Sequence, residues 1–293
     1  MEIIAEHVKL LGNGYFNFYV VGEQEAALVE CGTRATASIL TDQWASLDKK
    51  PDVRYILAMH SHFDHACGLP VLKKLFPEAQ IVGSRLAQKL LSRERIVHAL
   101  FHNDEILTEN YARAQLIEAK PTEPAPAILT VDLVVGEGDE LSLGQGLSLR
   151  FLDMPGHSIC SIAAYLEQDQ CMFVSDATGV RYADGSLTSA FFINYSDYIA
   201  SIRKLMPYPT RVIGPGHGPV VQGEDTGDYY QRALDESQRL FEYVREQLQQ
   251  GVSETDLARD LFKRYIKDGL ALYPADLMME SMYLRIKCVK AEI

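Results

Sequence analysis

The run MHSHFDHACG at positions 59–68 places three histidines and one aspartate within six positions: His60, His62, Asp64 and His65. Neutral imidazoles and carboxylates are the ligands that zinc, iron and similar divalent metals take in proteins. The other five histidines are scattered over 293 residues. The crowding in this run therefore indicates a metal-binding turn.

Three more potential ligands each follow an apolar run that predicts a β-strand. His157 comes after LRFLDMPG, Asp176 after CMFVS and His217 after RVIGPG, and the histidine-rich run follows the predicted strand VRYILAM. Because the ends of neighbouring strands lie on a common edge of a sheet, these side chains are predicted to converge there. The predicted set is His60, His62, Asp64, His65, His157, Asp176 and His217.

Such a set suits two divalent ions. A carboxylate can bridge two ions and offset their charge, and ions of this kind typically lie about 3.5–4 Å apart with a hydroxide between them. Five histidines and two aspartates without a thiolate leave zinc, iron(II) and manganese(II) open as the two metals. An isolated histidine would be assigned to the surface, but the whole set indicates a metal centre.

The motif HSHFDH, followed by GH at 156–157, SDA at 175–177 and GHG at 216–218, resembles the metallo-β-lactamase superfamily over residues 1 to about 222. The resemblance implies an α/β fold, the αββα sandwich, with two metals at one sheet edge. By that pattern the first ion would be held by His60, His62 and His157. The second would be held by Asp64, His65 and His217. Asp176 would bridge them.

With aspartate at position 176, the chain resembles the glyoxalase II, lactonase and thioesterase branch. Antibiotic-hydrolysing zinc enzymes often have a cysteine near this place. Flavodiiron oxygen reductases usually carry a glutamate where His62 stands, together with a flavin domain, and RNA-processing members need a large inserted domain. The stretch ATGVRYADGSLTSAFFINY does not match the segment with which glyoxalase II holds glutathione. The overall plan is more similar to the 2-aminobenzoylacetyl-CoA thioesterase of the quinolone-signal pathway.

These features lead us to expect a metal-dependent hydrolase of an ester-type bond, with a thioester preferred over a lactone. A hydroxide held by the two ions would attack the carbonyl, and Asp64, as catalytic residue, would orient it. A lactonase, a metal-stabilised regulatory or binding protein with incidental hydrolysis, and an iron-dependent sulfur or oxygen oxidation stay open as alternatives.

Composition bounds the partners and the setting. Lys and Arg number 28 against 40 Asp and Glu, a net charge of −12 without any basic run, so neither nucleic acid nor a membrane is expected as a partner. A small-molecule ester or thioester is expected, and a homodimer is left open. Five cysteines without paired spacing favour free thiols, and no apolar run suits a signal peptide, so we expect a cytoplasmic protein.

The positioning elements follow from the apolar patterns. Strands are predicted for YFNFYVVG, AALVECG, VRYILAM, QIVGS, LSLRFLDM, IAAYLE, CMFVS and RVIGPG. Helices are predicted for RATASILTDQWASL, LPVLKKLF, 85–120 and 196–206. A metallo-β-lactamase-like domain is expected over 1–222.

Residues 223–293 are predicted as a helical cap over the sheet edge that carries the predicted ligands, which we call the metal edge. Apolar residues recur at helical spacing in YYQRALDESQRLFEYVREQL, SETD at 253–256 resembles a capping box, and Pro274 suits the start of a third helix. Docking on the sandwich is expected rather than an independent bundle. The cap's methionines and tyrosines would then form an adaptable wall for a bulky acyl or aromatic group.

Three smaller features carry weaker expectations. Cys67 is expected to pack under its loop, and His98 and His102, which share a helix face, are expected to be solvated or at a pocket rim. Four aromatic residues after the bridging aspartate fit either a substrate wall or a core cluster: Tyr182, Phe191, Phe192 and Tyr195.

Overall fold

The short apolar runs fold into two facing β-sheets, and amphipathic helices cover their outer faces, in a computed structural model that describes residues 2–293. This layering is the αββα sandwich that the resemblance implies. The strands predicted from the sequence are all present, within a few residues of their expected bounds. Within the described residues, seven further strands were not predicted: two at the N-terminus, which carry only a weak alternation of buried and exposed residues, and five of two or three residues each.

The first sheet contains seven strands whose order in space equals their order along the chain. They are β1 (Glu2–Ala5), β2 (Val8–Gly12), β3 (Asn17–Val21), β4 (Glu25–Val29), β5 (Asp52–Ala58), β6 (Gln80–Ser84) and β7 (Leu133–Val135). The pairs from β1 to β4 are antiparallel, and the pairs from β4 to β7 are parallel. Strands β4 and β5 therefore end at the same edge.

The second sheet contains six strands in the order β15-β14-β11-β10-β9-β8, and a separate hairpin follows β11. They are β8 (Glu140–Ser142), β9 (Ser148–Asp153), β10 (Ile162–Leu166), β11 (Cys171–Ser175), β14 (Val212–Pro215) and β15 (Val221–Gln222), and the hairpin is β12 (Val180–Arg181) with β13 (Leu187–Thr188). Strands β11 and β14 are parallel, so they too end at one edge.

Eight α-helices flank the sheets within the described chain. They are α1 (Arg34–Ala45), α2 (Leu69–Leu75), α3 (Arg85–Leu91), α4 (Glu94–Arg113), α5 (Tyr195–Leu205), α6 (Tyr229–Gln249), α7 (Glu254–Tyr265) and α8 (Ala275–Glu292). Ser253 caps α7 by accepting from the Asp256 amide, but its hydroxyl also bonds the Asp256 side chain, so only half of the predicted capping box forms. Pro274 directly precedes α8, as predicted.

Three buried clusters hold the layers together. One lies between the sheets, and a second joins the outer face of the first sheet to α1, α2 and α4. The third joins the second sheet to α5, α6, α7 and α8, through residues such as Val174, Leu240 and Ile286. The C-terminal helices thus dock on the sandwich, as predicted, since burying each such side chain contributes about 1.5–3 kcal/mol. The division into two domains at residue 222 stays a prediction.

A search of the helices over residues 2–293 found none that combines the length and the apolar character needed to span a membrane.

Candidate metal centre

Strands from both sheets end at one edge of the sandwich, and the loops that follow them carry the predicted ligands. Strand β5 leads into the HSHFDH loop, which closes in a 3-10 turn at Phe63–His65. Asp176 directly follows β11, His217 follows β14, and His157 lies between β9 and β10. All seven predicted side chains meet here, in groups whose ligand atoms lie within 4.8 Å of one another. Their role as metal ligands stays a prediction.

Three imidazoles, which we call the first triad, point one nitrogen each at a common position. The Nε2 atom of His60 lies 3.1 Å from Nδ1 of His62 and 3.2 Å from Nε2 of His157. The latter two nitrogens are 3.0 Å apart. Burial, together with the neighbouring His62, lowers the pKa of His157 to about 3, and burial also lowers the pKa of His60. Both rings are therefore neutral at pH 7, which is the form that binds a metal.

A second triad of predicted ligands lies beside the first and contains Asp64, His65 and His217. The Nε2 atoms of His65 and His217 are 3.1 Å apart, and Oδ2 of Asp64 lies 3.3 Å from the second of them. Burial by itself would lower the pKa of His65. The carboxylates of Glu30 and Asp176 outweigh burial and raise this pKa to well above its usual value. The carboxylates thus favour positive charge at the second triad, which a divalent cation would supply in place of protons.

Asp176 lies between the two triads. Its Oδ2 atom is 3.4 Å from Nε2 of His65 and 3.5 Å from Nε2 of His157. Its Oδ1 atom is buried and has no hydrogen-bond donor among residues 2–293. Burial raises the pKa of Asp176, but the charges of His65 and His217 outweigh this and hold it well below its usual range. An ionised carboxylate with an orphaned oxygen fits a bridging ligand, because a buried charge needs a partner.

Acceptors outside the triads fix the orientation of three rings. The Nδ1 atom of His65 lies 2.8 Å from Oε2 of Glu30, that of His157 lies 2.8 Å from the Ala190 carbonyl, and that of His217 lies 3.1 Å from the Tyr15 carbonyl. In each ring the N–H is held on one side, so the opposite Nε2 is free to bind a metal.

Glu30 was missed from the sequence, although the signal was present. It directly follows β4 in LVECG, just as Asp176 follows β11, so the strand-end rule that gave the predicted ligands would have found this carboxylate too.

The glycine of the GHG motif has a steric reason. A Cβ atom on Gly216 would lie 2.7 Å from Cε1 of His65 and 3.1 Å from Oδ1 of Asp176. Any side chain here would push into the space between the triads. Glycine at this position therefore allows β14 to approach the ligands closely.

A largely apolar cavity of about 250 Å³ opens against both triads. Its wall contains residues from the sandwich and from the C-terminal helices, among them Phe192, Leu277, Met278, Leu284 and Arg285. Of the predicted cap, α8 and the segment before it lie at this edge, and α8 supplies leucine and methionine side chains to the wall. No residue of α6 or α7 lines the cavity. Of the methionines of the cap, Met278 faces the cavity, whereas Met282 is buried in the core.

Tyr273, just before α8, contacts the second triad, and the sequence analysis did not predict this contact. Its hydroxyl donates to Oδ2 of Asp64 across 2.8 Å. Burial and the charge of Asp64 raise the pKa of this tyrosine well above its usual value, so it stays a donor. No spacing relates LYPAD to the histidine-rich turn, and no local signal could have found it.

The smaller features divide clearly. Cys67 is buried under its loop, as expected, and His98 and His102 are exposed on α4, away from the triads. Of the aromatic residues, Phe192 lies 5.0 Å from the ring of His157 and lines the cavity, whereas Phe191 and Tyr195 pack in the third buried cluster.

Known proteins resemble this chain in sequence and in fold. The family model described as the metallo-beta-lactamase superfamily matches residues 12–217. The chain is similar to the putative diflavin flavoprotein A 2 of Synechocystis sp., with 23% identity over 228 residues that cover 72% of this chain and 34% of that protein. The chain thus spans about a third of the length of that relative, 34%.

Two other relatives are covered more fully. The atrochrysone carboxyl ACP thioesterase of Aspergillus fumigatus is 25% identical over 76% of this chain and 56% of that protein. The protein ST1585 of Sulfurisphaera tokodaii, a metallo-beta-lactamase fold-containing protein, is 23% identical over 86% of this chain and 88% of its own. The solved structure of ST1585 superposes with a TM-score of 0.58 over 95% of this chain and 93% of that one, at 18% identity, which shows a shared fold.

Proposed function

The chain belongs to the metallo-β-lactamase superfamily, and we propose that it is a metal-dependent hydrolase of an ester-type bond, with a thioester as the preferred substrate. The observation that carries this proposal is the pair of ligand triads, joined by Asp176, at the end of an apolar cavity. The similarity to a fungal ACP thioesterase supports a thioester over a lactone.

The donor set fits two divalent ions, one held by the first triad and one by the second, with Asp176 between them. When bound, such ions lower the pKa of water to about 7 and polarise a carbonyl oxygen. The chain's own contribution is positional. Tyr273 holds the Asp64 carboxylate through its hydroxyl, so that Asp64 can orient a water molecule and accept its proton. The apolar wall excludes bulk water from the acyl group.

The test begins with elemental analysis of protein purified without added metal. Hydrolysis is then measured over a panel of thioesters and lactones, with His98→Ala as a control because that histidine is exposed and lies outside the triads. We expect about two divalent ions per chain and turnover that chelation removes. Background rates on every compound with a loaded metal site would favour a regulatory or binding protein, and full turnover by the metal-free protein would refute the proposal.

An iron-dependent oxidation is the second candidate, because the histidine and aspartate donors also suit iron(II) and a putative diflavin flavoprotein is among the relatives. Oxygen uptake with thiol or persulfide substrates, together with iron as the metal found, would favour it over hydrolysis.

A further inference from the structure

Arg285 on α8 is a buried cation without a carboxylate partner. Its side chain donates from Nε to the Ser189 carbonyl across 3.0 Å and from Nη1 to the carbonyl and hydroxyl of Ser281 across 3.2 and 3.1 Å. Within residues 2–293 it forms no ion pair, and its Nη2 group has no acceptor. Arg285 lines the cavity that opens on the triads.

The other buried arginine of the described chain shows what is missing. Arg34 is buried to a similar degree, but it pairs with the carboxylates of Asp104 and Glu105. A buried charge that lacks such a partner destabilises the fold, because its lost hydration is not replaced.

No carboxylate among residues 2–293 lies within ion-pair distance of Arg285, although Glu280 also lines the cavity. Its guanidinium carbon lies 4.7 Å from the centre of the Phe192 ring, and the titratable groups that act on it most are phenols, including Tyr182 and Tyr265. Burial raises the pKa of Tyr265 to about 12, so it carries no charge at pH 7. Burial lowers the pKa of Arg285 to about 10, which leaves the guanidinium positive. A full positive charge therefore faces the cavity.

We propose that Arg285 binds a carboxylate on the acyl part of the substrate, so that the enzyme selects acyl groups with an anionic end. This inference rests on the proposed hydrolase function. A carboxylate matches the planar guanidinium and its single charge, whereas a phosphate dianion would need more donors than this apolar cavity offers. Phe192 contacts both His157 and Arg285. Its ring therefore lies between the end of the cavity at the triads and the end at which Arg285 would bind the carboxylate.

The test compares two thioesters of N-acetylcysteamine, glutaryl and hexanoyl, which differ in whether the acyl chain ends in a carboxylate. We expect kcat/KM of the wild type to favour glutaryl by roughly 10–100-fold, mainly through KM. Arg285→Gln should bring the ratio near one, and Arg285→Lys, which keeps the charge, should retain part of it. Arg259→Gln on α7 is the control, because that side chain is 65% exposed and lies away from the cavity.

Equal rates of the wild type on both thioesters, or a ratio that Arg285→Gln leaves unchanged, would overturn the inference. If neither thioester is hydrolysed, the proposed function fails, but titration calorimetry with glutarate still tests Arg285. Binding that the wild type shows and Arg285→Gln lacks supports the carboxylate site, and equal or absent binding overturns it. Circular dichroism and melting curves check the fold of each variant. If Arg285→Gln does not fold, the wild-type ratio and Arg285→Lys decide.

Discussion

At each of two opposite edges of the sandwich, a histidine of the first sheet lies close to an aspartate of the second sheet. The two edges differ in whether the aspartate oxygens have hydrogen-bond partners. Asp169 precedes β11 and Asp176 follows it, so these aspartates lie at opposite ends of one strand. At the first end the backbone N–H and Nδ1 of His7 each lie 2.7 Å from an oxygen of Asp169. Both oxygens of Asp169 therefore have a hydrogen-bond partner in His7. At the second end Asp176 Oδ1 is buried without a donor among residues 2–293.

The difference teaches what marks a site in this fold. Glu6, His7 and Asp169 have metal-ligating types and lie close together, but Glu6 is exposed and the other two are already paired. At the metal edge the Nδ1 atoms of three rings are held by acceptors outside the triads, and the Nε2 atoms of these rings point into the triads. Lone pairs that are buried and converge therefore indicate metal binding, and proximity alone does not.

The largest effect should come from Asp176, which separates the two edges most sharply. Asp176→Asn keeps the shape but removes the bridging charge, so we expect loss of at least one metal ion. Hydrolysis should fall by more than about 100-fold, since even the outer partners of metal ligands typically account for about 10–100-fold. Elemental analysis and turnover on one thioester measure both. A variant that kept two ions and full turnover would remove Asp176 from the centre.

Glu30 should have the next largest effect, through the ring that it holds. Glu30→Gln weakens the acceptor for Nδ1 of His65, so metal affinity at the second triad should fall about 10–100-fold, with a smaller change at the first triad. Competition with a chromogenic chelator resolves the two affinities. Glu167→Gln, an exposed change of the same kind, is the control. Equal loss at both triads would contradict the specific role.

Tyr273 should affect turnover but not metal content. Tyr273→Phe removes only the hydroxyl that donates to Asp64, and a hydrogen bond to a charged group is worth about 1.5–3 kcal/mol, so kcat should fall roughly tenfold or more. Tyr283→Phe, on the partly exposed face of α8, is the matched control. The loss should appear in kcat with both ions retained, and loss of metal instead would make Tyr273 a support of the second triad.

The smallest effect belongs to the opposite edge. The hydrogen bond with Asp169 raises the pKa of His7, so the stability from this pair is fully present below the unfolded-state pKa of about 6.5 and is lost as pH rises through the folded value. His7→Gln should therefore lower the free energy of unfolding at acidic pH, by about 1 kcal/mol or less, and less at alkaline pH. Urea denaturation at both pH values measures this. A difference as large at alkaline pH would contradict the assigned charge.

Sequence patterns were sufficient to place most of the long strands and to bring the seven predicted ligands to one sheet edge, because both are local signals. A strand such as CMFVS has its own apolar run, and the residue after it must lie at the sheet edge, so the sequence alone places Asp176 and His217 there. The same rule applied to LVECG would have found Glu30. The strands β1 and β2, with mixed burial and weak alternation, lacked that signal.

The cap residues that meet the substrate cavity were decided only by tertiary structure. Helical spacing predicts amphipathic helices in the C-terminal segment, but an apolar face does not specify what it packs against. Asp64 and Tyr273 are 209 positions apart and meet only because α8 docks across the metal edge. Arg285 resembles any helical arginine in the sequence, and the cavity wall around it, assembled from both sheets' loops and from α8, is what leaves its charge unpaired.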